Sequence, residues 1–122
     1  ASVIHTCIAV SDPEASLEFY GELGLERTGE FTLGGVRNVY VGGEEGAEIQ
    51  FRHDPERTDP IEPAGMDHIA VAVDDCEAAF DELRAATDCD VRGEPTVIDA
   101  ADAVAAFVYD PDGYVVELVE YR

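Results

Sequence analysis

The alternation of apolar and polar positions along the chain predicts short strands and two helices, laid out twice in the same order. From Val3 to Val10 the pattern is that of a strand. Ser11 or Asp12 can then cap a helix with Pro13 in its first turn, Leu17 and Tyr20 on its inner face, and Gly21 or Gly24 at its end. Strands are expected at Glu26–Leu33, Val36–Val41 and Ala47–Arg52, separated by Gly34-Gly35 and by the run Gly42-Gly43-Glu44-Glu45-Gly46. A polar stretch carrying Pro55, Pro60 and Pro63 follows, from His53 to Gly65. The second half starts again with a strand at Asp67–Val73 and a helix capped by Asp74 or Asp75, running to about Ala86 with Ala79, Phe80 and Leu83 turned inward. Strands at Asp90–Val97, Ala103–Tyr109 and Tyr114–Tyr121 complete it, the last two joined by an Asp110-Pro111-Asp112-Gly113 turn.

The two halves also match residue by residue. His5-Thr6-Cys7-Ile8-Ala9-Val10-Ser11-Asp12 aligns with His68-Ile69-Ala70-Val71-Ala72-Val73-Asp74-Asp75 at an offset of 63. Gly46-Ala47-Glu48-Ile49-Gln50-Phe51 aligns with Gly113-Tyr114-Val115-Val116-Glu117-Leu118 at an offset of 67, so the second copy has gained a few residues in a loop. The expected fold is therefore α+β, a single domain of tandem βαβββ modules: residues 1–53, a linker at 54–65, and residues 66–122.

The repeat makes His5 equivalent to His68, and Gln50 to Glu117. If the copies pack about a pseudo-twofold axis, two imidazoles, an amide oxygen and a carboxylate can converge near it. Such a mixed set suits one divalent ion such as Zn, Ni, Co, Mn or Fe(II), with positions open to water or substrate. Taken singly, each residue has an ordinary explanation: a histidine hydrogen-bonded at a strand end, or a polar strand residue facing solvent. Glu117, however, shares its side of the strand with Val115 and Val119, and a carboxylate on an apolar face needs a partner.

Composition narrows the possible partners. Among 122 residues, 28 Asp and Glu oppose 7 Lys and Arg, a formal net charge of −21, which excludes electrostatic binding to nucleic acid or to an anionic membrane. A hydrophobic fraction of 46% is enough to build a core in spite of that charge. All of the basic residues are arginine. An acidic, lysine-free chain fits the high-salt cytoplasm of a halophile, where screening removes self-repulsion. Cys7, Cys76 and Cys89 show no CxxC spacing and are expected as reduced thiols. No apolar run approaches a membrane span and no signal-peptide pattern opens the chain, so a soluble, cytoplasmic protein is expected. There is no GxGxxG run, no phosphate-binding loop and no Ser-His-Asp order.

His5-Thr6, Phe19-Tyr20, Leu23-Gly24-Leu25, Asp67-His68-Ile69-Ala70, and Asp110-Pro111-Asp112-Gly113-Tyr114 leading to Glu117-Leu118 form a set of motifs spread over nearly the whole chain. Together they resemble the vicinal-oxygen-chelate superfamily of glyoxalases, bleomycin-resistance proteins and extradiol dioxygenases, and within it glyoxalase I. The resemblance implies that each module curls its sheet into half of a metal-holding cleft, and that two chains pair as a homodimer with shared metal sites. It implies His5, Gln50, His68 and Glu117 as ligands of one divalent metal per site, with Glu117 also the base. The implied reaction isomerises the hemithioacetal of a 2-oxoaldehyde such as methylglyoxal and a thiol to a 2-hydroxyacyl thioester.

Two positions depart from that pattern. Ala9 stands where glyoxalase I relatives carry an arginine that helps hold glutathione, and Asp54 stands where they carry an asparagine. An acid at 54 would repel glutathione carboxylates, which leaves the thiol open. Arg37 and Arg52 are the candidates to contact a substrate anion instead, or else are surface charge partners. The same ligands suit other members of the superfamily. His5, His68 and Glu117 would serve an Fe(II) extradiol dioxygenase acting on catechols, with His53, expected to be exposed, and Tyr109 or Tyr114 as its supporting residues. A methylmalonyl-CoA epimerase-like proton transfer and a non-catalytic drug-binding resistance protein are the remaining alternatives. The charge carries a prediction of its own: thermal melting followed by circular dichroism should show the fold markedly more stable in molar KCl than in dilute buffer. Equal melting temperatures would remove the high-salt inference.

Overall fold

In the computed structural model, which describes residues 1–122, the chain divides into two compact units, Ala1–Ile61 and Glu62–Arg122. The first contains β1 (His5–Ala9), α1 (Pro13–Glu22), β2 (Glu26–Leu33), β3 (Val36–Gly42) and β4 (Glu48–His53). The second contains β5 (Ile69–Ala72), α2 (Cys76–Thr87), β6 (Val91–Ile98), a single 3-10 turn at Asp99–Ala101, β7 (Ala103–Tyr109) and β8 (Val115–Tyr121). The α+β class and the repeated βαβββ order are as the sequence predicts.

Each unit forms one mixed four-stranded sheet, in the orders β1-β4-β3-β2 and β5-β8-β7-β6. The first strand of a unit runs parallel to its fourth, while the other pairs are antiparallel. In the first unit the helix covers the face made by Val39, Val41, Ile49 and Phe51, with the Tyr20 and Phe51 rings 5.3 Å apart. In the second, Phe80 and Leu83 of the helix are buried with Val108, Val116 and Leu118 of the sheet. Alternation then turns the next residues of every strand to the opposite face, where both sets of candidate ligands lie.

Side-chain caps begin both helices. Asp12 accepts from the amides of Glu14 and Ala15, and Asp75 accepts from that of Ala78, each three residues after the end of its unit's first strand. The end of α1 is a Schellman motif: the Leu25 amide reaches the Tyr20 carbonyl, the Gly24 amide reaches that of Gly21, and Gly24 takes the positive φ this turn requires. In the Asp110–Gly113 turn, the Asp110 carboxylate accepts from the amides of Asp112 and Tyr114 at 2.9 and 3.0 Å, which fixes where β8 begins.

Several boundaries and inward residues differ from expectation. Val3 and Ile4 lie outside β1 and are exposed, because the parallel ladder to β4 begins only at His5 opposite Glu48. Leu17 and Ala79 are only half-buried, and the deeply packed helix positions are Ser16, Phe19 and Tyr20 in α1 and Cys76, Phe80 and Leu83 in α2. In such short helices a one-position rotation changes which residues face the sheet, and apolarity alone does not resolve it. His53 belongs to β4 and not to the polar stretch after it. No helix is long and apolar enough to cross a membrane. Leu118 is fully buried, so Leu118→Ala should lower unfolding free energy by about 2–5 kcal/mol, read from urea denaturation in molar salt.

Candidate functional site

In the first unit, His5 opens β1 on the sheet edge, and the residue two places on, Cys7, lies opposite Gln50. His5 and Gln50 thus occupy the same sheet face on neighbouring strands, staggered by two residues. On the far side of β4 from His5 lies Tyr40 of β3: it is directly opposite Gln50, and its ring reaches the His5 imidazole edge-on with centroids 5.5 Å apart. Gln50 is buried and donates from Nε2 to Asn38 Oδ1 at 2.9 Å. Asn38, also buried, donates from Nδ2 to the Val36 carbonyl at 3.2 Å.

The second unit repeats the arrangement. His68 precedes Ala70, which lies opposite Glu117, so the two-residue stagger is the same. Phe107 takes the place of Tyr40, opposite Glu117 and edge-on to His68 with ring centroids 5.9 Å apart. Each aromatic ring faces a glycine on the outer strand, Gly29 opposite Tyr40 and Gly93 opposite Phe107, and a register shift adjoins both glycines. Here the histidine and the acid are in direct contact, with His68 Nε2 3.3 Å from Glu117 Oε1. The other ring nitrogen, Nδ1, lies 2.7 Å from Asp67 Oδ2. That hydrogen bond to His68 is the main cause that lowers the Asp67 carboxyl below the usual aspartate value.

These contacts test whether the residues suit a metal. With Nδ1–H donated to Asp67, the neutral form of the ring has its lone pair on Nε2, the nitrogen that faces the Glu117 carboxylate. Two acceptors at that distance are held together by a proton or by a cation between them. A carboxylate that orients a histidine, whose far nitrogen then faces a second carboxylate, is the usual setting of a metal-binding imidazole. In the first unit the chain of amide bonds uses Gln50 Nε2 and leaves Gln50 Oε1 as the ligand atom. The donor sets therefore fit a divalent ion. Each unit presents a pair, since no three His, Cys, Asp or Glu side chains of the chain are arranged so that they could hold an ion together.

The two candidate substrate arginines have different surroundings. Arg37 lies between Glu30 and Glu14, 2.8 Å from the latter, and these bonds raise its already high pKa. Its charge is engaged in tying α1 to β2 and β3. Arg52 is exposed on the same strand face as Gln50, in register with Ala9, and makes no ion pair. Asp54 accepts from the Glu56 amide at 3.0 Å, closing a local turn. His53 is half-buried and not exposed as expected, with Nδ1 3.1 Å from the Val10 carbonyl oxygen. Tyr114 is buried and Tyr109 half-buried.

A family model for the Glyoxalase/Bleomycin resistance protein/Dioxygenase superfamily matches residues 2–118. The chain belongs to this superfamily. Among its relatives, a protein named probable lactoylglutathione lyase from Vibrio cholerae is 34% identical, over 98% of this chain and 91% of its own length. Another of that name from Synechocystis sp. is 37% identical, over 97% and 94%. The backbone is also similar to that of a glyoxalase I mutant from Zea mays, with a TM-score of 0.87 at 21% identity, and spans 98% of this chain but only 44% of the maize one. Among superfamily members, this chain is thus a glyoxalase I-like enzyme by its relatives.

Sequence reasoning passed over four side chains that touch these half-sites: Tyr40, Phe107, Asn38 and Asp67. Tyr40 and Phe107 had a signal, because they are spaced by the same 67 residues that relate Gln50 to Glu117. The three thiols are free. Cys76 is buried, its Sγ 3.4 Å from the Leu118 carbonyl oxygen, and burial raises its pKa, reinforced by acids that include Glu120 and Asp75. A thiol so placed is a core group and not a nucleophile. Iodoacetamide at neutral pH should label Cys76 only after denaturation, as read by mass spectrometry of peptides.

Proposed function

We propose that the protein is a metal-dependent glyoxalase I, converting the hemithioacetal of a 2-oxoaldehyde and a thiol to a 2-hydroxyacyl thioester. The observation that carries this reading is the Asp67–His68–Glu117 arrangement, in which an oriented imidazole and a partly covered carboxylate face one another at 3.3 Å. His5, Gln50, His68 and Glu117 would hold one divalent ion per site, Zn, Ni, Co, Mn or Fe. When bound, the ion would supply Lewis acidity to the negative charge that develops on substrate oxygens.

The residues of the chain account for the remaining work. Glu117 takes the proton from one substrate carbon on a carboxylate oxygen and returns it to the neighbouring carbon, so it begins and ends the cycle ionised. Its side chain is 18% exposed, open enough to meet a substrate and covered enough to limit exchange of that proton with water. Asp67 holds the His68 ring in one orientation through the cycle. Arg52, free of acidic partners on the Gln50 face, supplies a contact for an anionic group of the substrate, a role for which Arg37 lacks a free guanidinium. A homodimer is the assembly this reading requires, with the half-sites of paired chains completing each other. The exposed Phe31, Leu33, Val97 and Tyr121 support such an association. The acidic excess supports a high-salt working environment.

The test is an assay of metal-loaded protein in molar salt with methylglyoxal and a panel of thiols, following thioester absorbance, beside oxygen uptake with a catechol. Thiol-dependent absorbance without oxygen uptake is expected, whereas catechol-driven uptake alone would replace this reading with the dioxygenase. Glu117→Gln should retain part of the metal and lower kcat by about 10²- to 10⁴-fold; full activity in that variant would remove Glu117 as the base.

A further inference from the structure

The two half-sites differ at one place where their shared strand plan does not require it. The spacing of 67 residues that equates Gln50 with Glu117 and Tyr40 with Phe107 equates Asn38 with Ala105. Both lie on the third strand of their unit, two residues before the aromatic, Asn38 opposite Arg52 and Ala105 opposite Val119. Asn38 is 5% exposed, and burying an amide side chain is unfavourable unless its polar atoms find partners.

The partners found by Asn38 impose a direction. The Val36 carbonyl can only accept, so it receives Asn38 Nδ2, and Asn38 Oδ1 is turned the other way. Facing Gln50, that oxygen can in turn only accept, so it receives Gln50 Nε2. The amide of Gln50 is thereby locked with Oε1 away from Asn38. A metal ion binds the oxygen of an amide and is repelled by its NH₂ end, so a glutamine ligand rotated by half a turn is no ligand. A carboxylate has two equivalent oxygens and loses nothing on the same rotation. In the second unit, where the residue is Glu117, the corresponding position is alanine.

We propose that Asn38 is a positioning residue for the metal centre, which selects the one amide rotamer of Gln50 that presents oxygen. This rests on the reading of Gln50 as a ligand, and the experiment separates the two. Zn(II) affinity is measured by competition with a chromophoric chelator for the wild type and for Gln50→Ala, Asn38→Ala, Gln50→Glu and the double variant Asn38→Ala/Gln50→Glu, with apo-protein melting temperatures as a check on folding. Asn38→Ala should weaken binding about tenfold, and the same change in the Gln50→Glu background should cause no further loss, because a carboxylate needs no selection. Asn38→Asp keeps an acceptor toward Gln50 while losing the bond to Val36, so it should retain zinc affinity at a lower melting temperature, and it carries the test if the alanine variant does not fold. Equal weakening by Asn38→Ala in both backgrounds, or none in either, overturns the proposal and leaves Gln50 a ligand provided Gln50→Ala binds weakly. Wild-type affinity in Gln50→Ala removes Gln50 from the metal set, and the role of Asn38 with it.

Discussion

In each unit a parallel pairing joins the first strand to the fourth, and the positions of all the candidate ligands follow from it. Parallel neighbours cannot be linked by a tight turn, so the chain leaves β1 through a helix and two antiparallel strands before it returns alongside as β4, and it does the same between β5 and β8. A histidine near the start of one strand and a Gln or Glu in the middle of the other are thereby brought to adjacent strands on one face. A slip of one residue would turn His5 into the core and Ile8 out of it. Backbone bonds beyond the ladder resist that slip, from the Glu48 amide to the Ile4 carbonyl and from the Val10 amide to the Arg52 carbonyl. In the second unit the Val73 amide bonds the Val119 carbonyl in the same way.

Charge acts on a different scale. Arg27, Arg37 and Arg122 pair with Glu30, Glu14, Asp99 and Asp102, which leaves most of the 28 acids without a basic neighbour. Exposed pairs of this kind contribute little each. The one with the most structural content is Arg37, which bridges a helix and the strand hairpin packed on it. The acids near the candidate ligands serve a different purpose, since Asp67 orients an imidazole and Glu117 faces it.

The repeated βαβββ order was legible because the strands alternate cleanly and the turn chemistry is explicit at Gly24, Asp110 and Gly113. The inner faces of the helices were less so. Ser16 and Cys76 are small and do not advertise burial, while Leu17 and Ala79 are apolar yet sit at the margin of the contact. His5, Gln50, His68 and Glu117 could be named from the repeat, but the contacts around them could not. Asn38 follows a charged residue in a strand and looks like ordinary polar surface, although its hydrogen bonds run to Val36 and Gln50. The engagement of Arg37 depends on Glu14, 23 residues away, a separation at which sequence pattern carries no information about contact.

The glycines that face the two aromatic rings have a further consequence. A methyl group added at Gly29 would lie 3.9 Å from the Tyr40 ring, and one added at Gly93 would lie 3.6 Å from that of Phe107, both ordinary contact distances. Each ring in turn rests against a candidate ligand histidine. An alanine could therefore be accommodated at either position with the ring and the imidazole left where they are. At the rim of each sheet, growth beyond a methyl group would thus meet the aromatic ring before any other side chain, so the two rings stand as buffers between the outer strands and the histidines.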